Sequence, residues 1–148
     1  MSKVLVIDDT SEHIDIIDQI LLNDEVFVAT NGKTGLELAE KILPNIILLD
    51  INMPNMNGYE LCRRLKSSKK LHNIPVIFIT SNEGYEFEEI AFDLGAADYI
   101  TKPFNSTILK ARVKTHIGFH ELQSNLDNEI KNREKEISKL KELLYKNC

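Results

Sequence analysis

One alternation repeats through residue 101, and few folds accommodate it. Short apolar, β-branched runs recur as KVLVI at residues 3–7, EVFVA at 25–29, NIILL at 45–49, PVIFIT at 75–80 and AADYIT at 96–101. Between them, apolar residues fall at helical spacing: Ile14, Ile17 and Leu21 in a segment running to about Leu22, Leu36, Ala39 and Leu43 in residues 33–43, and Phe87, Ile90, Ala91 and Leu94 in residues 84–94. A third helix is expected over residues 58–68, and a fifth after Phe104. Thr10 or Ser11 can cap the first helix and Asn105 or Ser106 the fifth, Asn31-Gly32 makes a turn, and Pro44 and Gly95 end the second and fourth helices. Strands this apolar need cover on both faces, and right-handed crossovers place the helices there. The expected architecture is α/β: a doubly wound five-stranded parallel sheet of order 2-1-3-4-5 with five flanking helices and a C-terminal helical extension.

The chain has 148 residues, 43% of them hydrophobic, which suffices for one domain and an extension but leaves no room for a second full domain. A net charge of −5 gives no electrostatic case for binding nucleic acid or an anionic membrane. Residues 1–10 lack a targeting pattern, and no apolar run approaches the ~20 residues of a spanning helix, so a cytoplasmic protein is expected. Cys62 reads as a buried inert thiol and Cys148 as a frayed end. His13, His72, His116 and His120 form no metal-ligand spacing and read as surface residues.

In a sheet of this kind, ligands bind where the strands end at their carboxyl side. The strand ends here carry Asp8 and Asp9, Asp50, Thr80 and Lys102, and the loop after Asp50 contains Pro54 and Gly58. Asp50 is read as a nucleophile. Three carboxylates at one point call for a hard divalent cation, and Mg²⁺ prefers such oxygen ligands. Lys102 and Thr80 add an anion site, so the set suits a phosphoryl group: Mg²⁺ and Lys102 neutralise its oxygens, Thr80 donates a hydrogen bond and Asp50 attacks in line. Taken singly, the acid pair is a solvated helix entry, Thr80 a strand residue, Tyr99 a half-buried aromatic and Lys102 a surface charge. Their joint position outweighs those readings.

The acidic pair Asp8-Asp9, LLDINMPNMNGYEL around Asp50, FITS ending the fourth strand and Lys102-Pro103 together resemble a two-component response-regulator receiver domain, over residues 1 to about 118. The resemblance implies a flavodoxin-like, chemotaxis-regulator-like fold and a phosphoryl-accepting switch. By it, Asp50 takes phosphate from a phosphohistidine of a sensor histidine kinase or phosphotransfer protein. Asp9, Asp50 and the carbonyl of Asn52 bind Mg²⁺, with Asp8 acting through water. Thr80, Ser81 and Lys102 bind the phosphoryl group, and the Lys102-Pro103 bond is cis. Thr80 and Tyr99 form the switch pair, Tyr99 turning inward on phosphorylation and altering the surface of the fourth helix, fifth strand and fifth helix. Asn52 and Asn82 flank the site at positions that tune how fast the phosphoryl group is lost. Such a domain is a signalling module that catalyses only its own phosphorylation and dephosphorylation.

Residues 119–148 depart from a minimal receiver. They hold six Lys or Arg and six Asp or Glu, so the net charge resides in the preceding part. Phe119, Leu126, Ile130, Ile137, Leu140 and Leu144 follow alternating steps of four and three, interrupted by Gln123 and Arg133. A helix this polar is not stable alone, which predicts a parallel two-stranded coiled coil, or a linker to an output domain. A homodimer is therefore expected, through this helix or through the fourth-helix, fifth-strand and fifth-helix face. Gly118 at the junction is a candidate hinge or helix end. Two other readings compete. An aspartyl-phosphate phosphatase would place an Asp-x-Asp nucleophile at the first strand, where this chain has Asp8-Asp9-Thr10, and an inert receiver carried by a coiled coil would have no use for the complete polar set.

Overall fold

Each apolar run forms a strand, the inner ones buried on both faces and the edge strand at residues 25–29 only in part. The computed structural model describes residues 1–146. In chain order these form β1 (Lys3–Ile7), α1 (Ser11–Ile20), β2 (Glu25–Ala29), α2 (Gly32–Ile42), β3 (Ile46–Leu49), α3 (Gly58–Ser67), β4 (Val76–Thr80), α4 (Tyr85–Asp93), β5 (Asp98–Thr101) and α5 (Ser106–Lys146). The strands make one parallel sheet of order β2-β1-β3-β4-β5, as the alternation predicts. Two compact units divide the chain, Met1–Ile117 and the residues from Gly118 on.

In the first unit the pleat sends alternate side chains to opposite faces. Leu5, Ile7, Ile47, Leu49 and Phe78 meet Ala39 of α2, Leu61, Cys62 and Leu65 of α3, and Ala91 of α4. Val4, Val6, Ile46, Leu48, Ile77 and Ile79 meet Ile17 of α1 and Leu109, Val113 and Ile117 of α5. Fully burying one such aliphatic side chain contributes about 1.5–3 kcal/mol. All four residues of β3 are buried, so that strand anchors both the sheet and the first residue of the loop beyond it. The Asp50 N–H donates to the Ile7 carbonyl at 3.0 Å, carrying the ladder one residue past the strand.

Side-chain caps set three helix starts. Asn31 Oδ1 accepts from the Thr34 N–H, Asn57 Oδ1 from that of Glu60, and Asn105 Oδ1 from those of Thr107 and Ile108. Each such cap is worth about 1 kcal/mol. At α1 the expectation of a side-chain cap fails. Thr10 occupies the capping position, but its side chain makes no capping bond, and its own N–H is taken by Asp8 Oδ1 at 2.9 Å.

Two expected core residues face solvent. Leu43, 50% exposed, adopts φ 49° at the end of α2, because Pro44 disfavours a continued helix and the left-handed turn swings the side chain out. Gly35 takes that inward face, where a Cβ would lie 2.7 Å from Ile7 Cδ1. Ile90 is 46% exposed, because Phe87, Ala91 and Leu94, at steps of four and three, already define the inward stripe of α4.

In the second unit, α5 neither ends nor breaks at Gly118. From Gly118 to Lys146 every residue except the half-buried His120 is exposed. Phe119, Leu126, Ile130, Ile137, Leu140 and Leu144 are between 49% and 68% exposed, and Leu122 and Leu143 are likewise open. Cys148 lies outside the described residues.

Candidate functional site

Parallel pairing with Ile7 opposite Leu49 and Thr80 opposite Thr101 brings the strand ends to one edge. Asp8, Asp50 and Thr80 are buried there, whereas Asp9 and Ser81 are exposed. Lys102 is placed by the last rung of β5, its N–H donating to the Thr80 carbonyl at 2.8 Å, and the peptide bond to Pro103 is cis. The Lys102 side chain is only 9% exposed. Its Nζ lies 2.9 Å from Asp8 Oδ2 and 3.3 Å from Asp50 Oδ2.

The loop after Asp50 is held from below. The Gly58 N–H donates to the Ile51 carbonyl at 2.8 Å, and a Cβ on Gly58 would collide with the Asp50 carbonyl oxygen. Only glycine allows that approach of the start of α3 to the backbone of Asp50 and Ile51. Asp50 Oδ1 accepts from the Asn52 N–H at 3.3 Å. Over the mouth, the amides of Asn52 and Asn82 bond each other, Asn52 Nδ2 to Asn82 Oδ1 at 3.0 Å and Asn82 Nδ2 to Asn52 Oδ1 at 3.3 Å.

Thr80 Oγ1 accepts from the Asn82 N–H at 3.3 Å, which leaves its hydroxyl hydrogen available to donate. Tyr99 is 6% exposed and its hydroxyl donates to the Asn82 carbonyl at 2.7 Å, so its ring already lies inward here, beside Phe78. Burial pushes the Tyr99 phenol up to about 12 and, at the back of α3, the Cys62 thiol up to about 11. That thiol is inert, since the thiolate is the reactive form.

Local spacing assigns all four histidines to the surface, yet two of them pair with carboxylates. His13, in the first turn of α1, brings Nδ1 to 2.6 Å from Lys102 Nζ and 3.5 Å from Asp8 Oδ2. Asp8, His13 and Asp50 each offer a ligand atom within 4.8 Å of the others, and this cluster, rather than Asp9, surrounds Lys102. His116 pairs with Asp98 Oδ2 at 3.0 Å, beside an Arg112 to Asp98 bond of 3.1 Å. No periodicity marks His13; it is found by noting that the first turn of a helix stands over the end of the strand before it.

The donor set fits a hard divalent cation. Asp8, Asp9 and Asp50 against Lys102 leave two formal negative charges in excess, and their carboxylate oxygens are of the ligand type Mg²⁺ prefers. Residues 4–114 match the response regulator receiver domain. The chain belongs to that family. The receiver is 38% identical over 115 residues to a probable cyclic di-GMP phosphodiesterase of Vibrio cholerae, a match covering 77% of this chain and 26% of that protein. It is 37% identical over 120 residues to the response regulator PleD of Caulobacter vibrioides, covering 80% of this chain and 26% of that one. The chain thus spans about a quarter of the length of the curated relatives it matches. Among solved structures it is similar to the receiver domain of sensor histidine kinase PA1611 from Pseudomonas aeruginosa, which has a magnesium ion coordinated in its active site cleft. The TM-score is 0.73 at 25% identity, covering 79% of this chain and 98% of that one. A receiver is a signalling domain. Among the described residues, no helix is long and apolar enough to cross a membrane.

Proposed function

We propose that Asp50 accepts the phosphoryl group of a partner's phosphohistidine. The observation that carries this is the Lys102 ammonium between Asp8 and Asp50, at 2.9 and 3.3 Å, in a site closed to all but its mouth. A carboxylate oxygen of Asp50 attacks phosphorus, an acyl phosphate bond forms, and the P–N bond breaks with its electron pair leaving on the imidazole, which is protonated. Lys102 exchanges its contact with Asp50 for one with a phosphoryl oxygen, Thr80 donates its free hydroxyl hydrogen to another, and Ser81 lines the opening. Asp9, Asp50 and the Asn52 carbonyl are the residues that would hold Mg²⁺, with Asp8 behind them. When bound, Mg²⁺ neutralises charge on the transferred group. This reading is supported by the charge excess at the strand ends and by the magnesium in the cleft of the Pseudomonas receiver.

The output of the switch runs through Thr80. Drawing its hydroxyl toward the phosphoryl group strains the Asn82 N–H bond, and Asn82 is also what Tyr99 and Asn52 hold. One residue thereby links the reacting carboxylate to the mouth and to the face of α4, β5 and α5. Incubation with Mg²⁺ and acetyl phosphate tests the chemistry by mass spectrometry. One phosphoryl adduct on wild type and none on Asp50→Asn is the expected result; an adduct that survives the substitution overturns it.

The region from residue 119 serves a second copy of the chain in this reading, as a parallel coiled coil. The exposed stripe from Leu126 to Leu144 favours it, since such a stripe gains stability only when covered. Residues 1–118 then act as receiver and 119–148 as pairing helix. Mass in solution should correspond to two chains at micromolar concentration, and a monomer throughout removes the claim.

A further inference from the structure

An ammonium group carries three hydrogens and no acceptor. Around Lys102 Nζ stand three acceptors: Asp8 Oδ2 at 2.9 Å, Asp50 Oδ2 at 3.3 Å and His13 Nδ1 at 2.6 Å. The shortest contact is the one made by a nitrogen. Because Nζ can only donate, the 2.6 Å contact is a hydrogen bond in the tautomer that carries its proton on Nε2 and leaves Nδ1 to accept. Two carboxylates already outweigh the charge of Lys102, so an uncharged third acceptor adds direction rather than attraction. The lysine side chain is 9% exposed and the His13 side chain 34%, so without His13 the third hydrogen would have only entering water as a partner, which holds no fixed direction.

We propose that His13 is a positioning residue for Lys102. This rests on the reading of Asp50 as phosphoryl acceptor. When Lys102 gives up Asp50 for a phosphoryl oxygen, only one of its three bonds changes hands, and Asp8 and His13 hold the other two. The ammonium pivots about that pair instead of searching. Preorganisation of this sort acts on the transition state, because the donor is already aimed where charge develops. The site thus draws on α1, an element that supplies none of the residues expected from the strand ends.

Two measurements on the full chain test it. In the ¹⁵N-labelled protein without phosphodonor, His13 should show an unprotonated Nδ1 and a protonated Nε2. The Lys102 ammonium signal should move or vanish in His13→Leu and return in His13→Asn, whose Oδ1 takes roughly the place of Nδ1. With Mg²⁺ and saturating acetyl phosphate, the rate of adduct formation at Asp50 should fall about tenfold in His13→Leu, the worth of one charge-assisted hydrogen bond. In His13→Asn it should stay within about threefold of wild type. The Mg²⁺ concentration for half-maximal rate should not change. A protonated Nδ1 in wild type, an unmoved Lys102 signal, or an unaltered rate in His13→Leu overturns the proposal. So does a weakened Mg²⁺ midpoint with an unmoved Lys102 signal, which places the nitrogen on the metal. If wild type forms no adduct, the reading of Asp50 falls, and the resonances still decide His13. If His13→Leu does not fold, the wild-type tautomer and His13→Asn decide it.

Discussion

Leu109, Val113 and Ile117 are at most 8% exposed; farther along the same helix, Leu126, Ile130 and Ile137 are 49%, 55% and 52% exposed. Apolar spacing on a helix therefore states that a face wants cover without stating what covers it. The two stretches differ in their steps. Leu109, Val113 and Ile117 repeat by four and follow one face onto β-strand side chains such as Val6 and Ile79. From Leu126 the steps alternate between three and four, the 3.5-residue period that suits two helices wound on each other. Charge separates them too, since the receiver carries the net −5 and the remainder balances six basic against six acidic residues. One region settles its burial within the chain, and the other leaves its apolar stripe exposed.

A pair of truncations breaks or sharpens that contrast most strongly. Leu109→Ala opens a cavity in a core with no solvent access and should lower the stability of the receiver by about 2–5 kcal/mol. The loss should be the same at every protein concentration in urea unfolding. Ile137→Ala should shift the unfolding of the dilute chain by less than about 0.5 kcal/mol. At high concentration it should reduce the concentration dependence of the midpoint, because pairing stabilises by mass action. Equal losses from the two substitutions at all concentrations would mean that Ile137 is buried within the chain, contrary to the contrast.

How far the fold and the site are legible in the sequence depends on the same division between local and distant information. Rules acting on the whole alternation give a parallel doubly wound sheet, and among its common strand orders the expected 2-1-3-4-5 is the one found. Asp8, Asp50, Thr80 and Lys102 share an edge for the same reason: each comes after or ends a strand that runs the same way. The features that escape depend on side-chain direction across elements. His13 and Lys102 are 89 residues apart, and no periodicity encodes the turn of α1 that joins them. The Asn52 to Asn82 amide pair spans two loops whose conformations no pattern specifies. Leu43 and Ile90 escape because spacing allows neighbouring faces, and Pro44 or a competing stripe decides between them. The hydroxyl of Tyr99 reaches the Asn82 carbonyl, a partner visible only in three dimensions.

The smallest effect is expected at the join. Glycine in a helix interior costs about 1 kcal/mol relative to alanine, which makes Gly118 a candidate end for α5, yet the helix runs from Ser106 to Lys146 through it. Its backbone is not in the left-handed region, and an added Cβ would meet nothing within 4 Å. Gly118→Ala should therefore stabilise α5 by about 1 kcal/mol, partly by narrowing the unfolded ensemble. The gain should appear as helical signal in far-UV circular dichroism that persists to higher temperature, while adduct formation at Asp50 keeps its wild-type rate. The prediction separates two explanations of the glycine. If α5 is continuous in solution, alanine removes a weak point and nothing else changes. If the helix opens at Gly118, alanine should alter the spacing of the two regions as well as the melt, and a changed mass or adduct rate would reveal a hinge that the continuous helix does not contain.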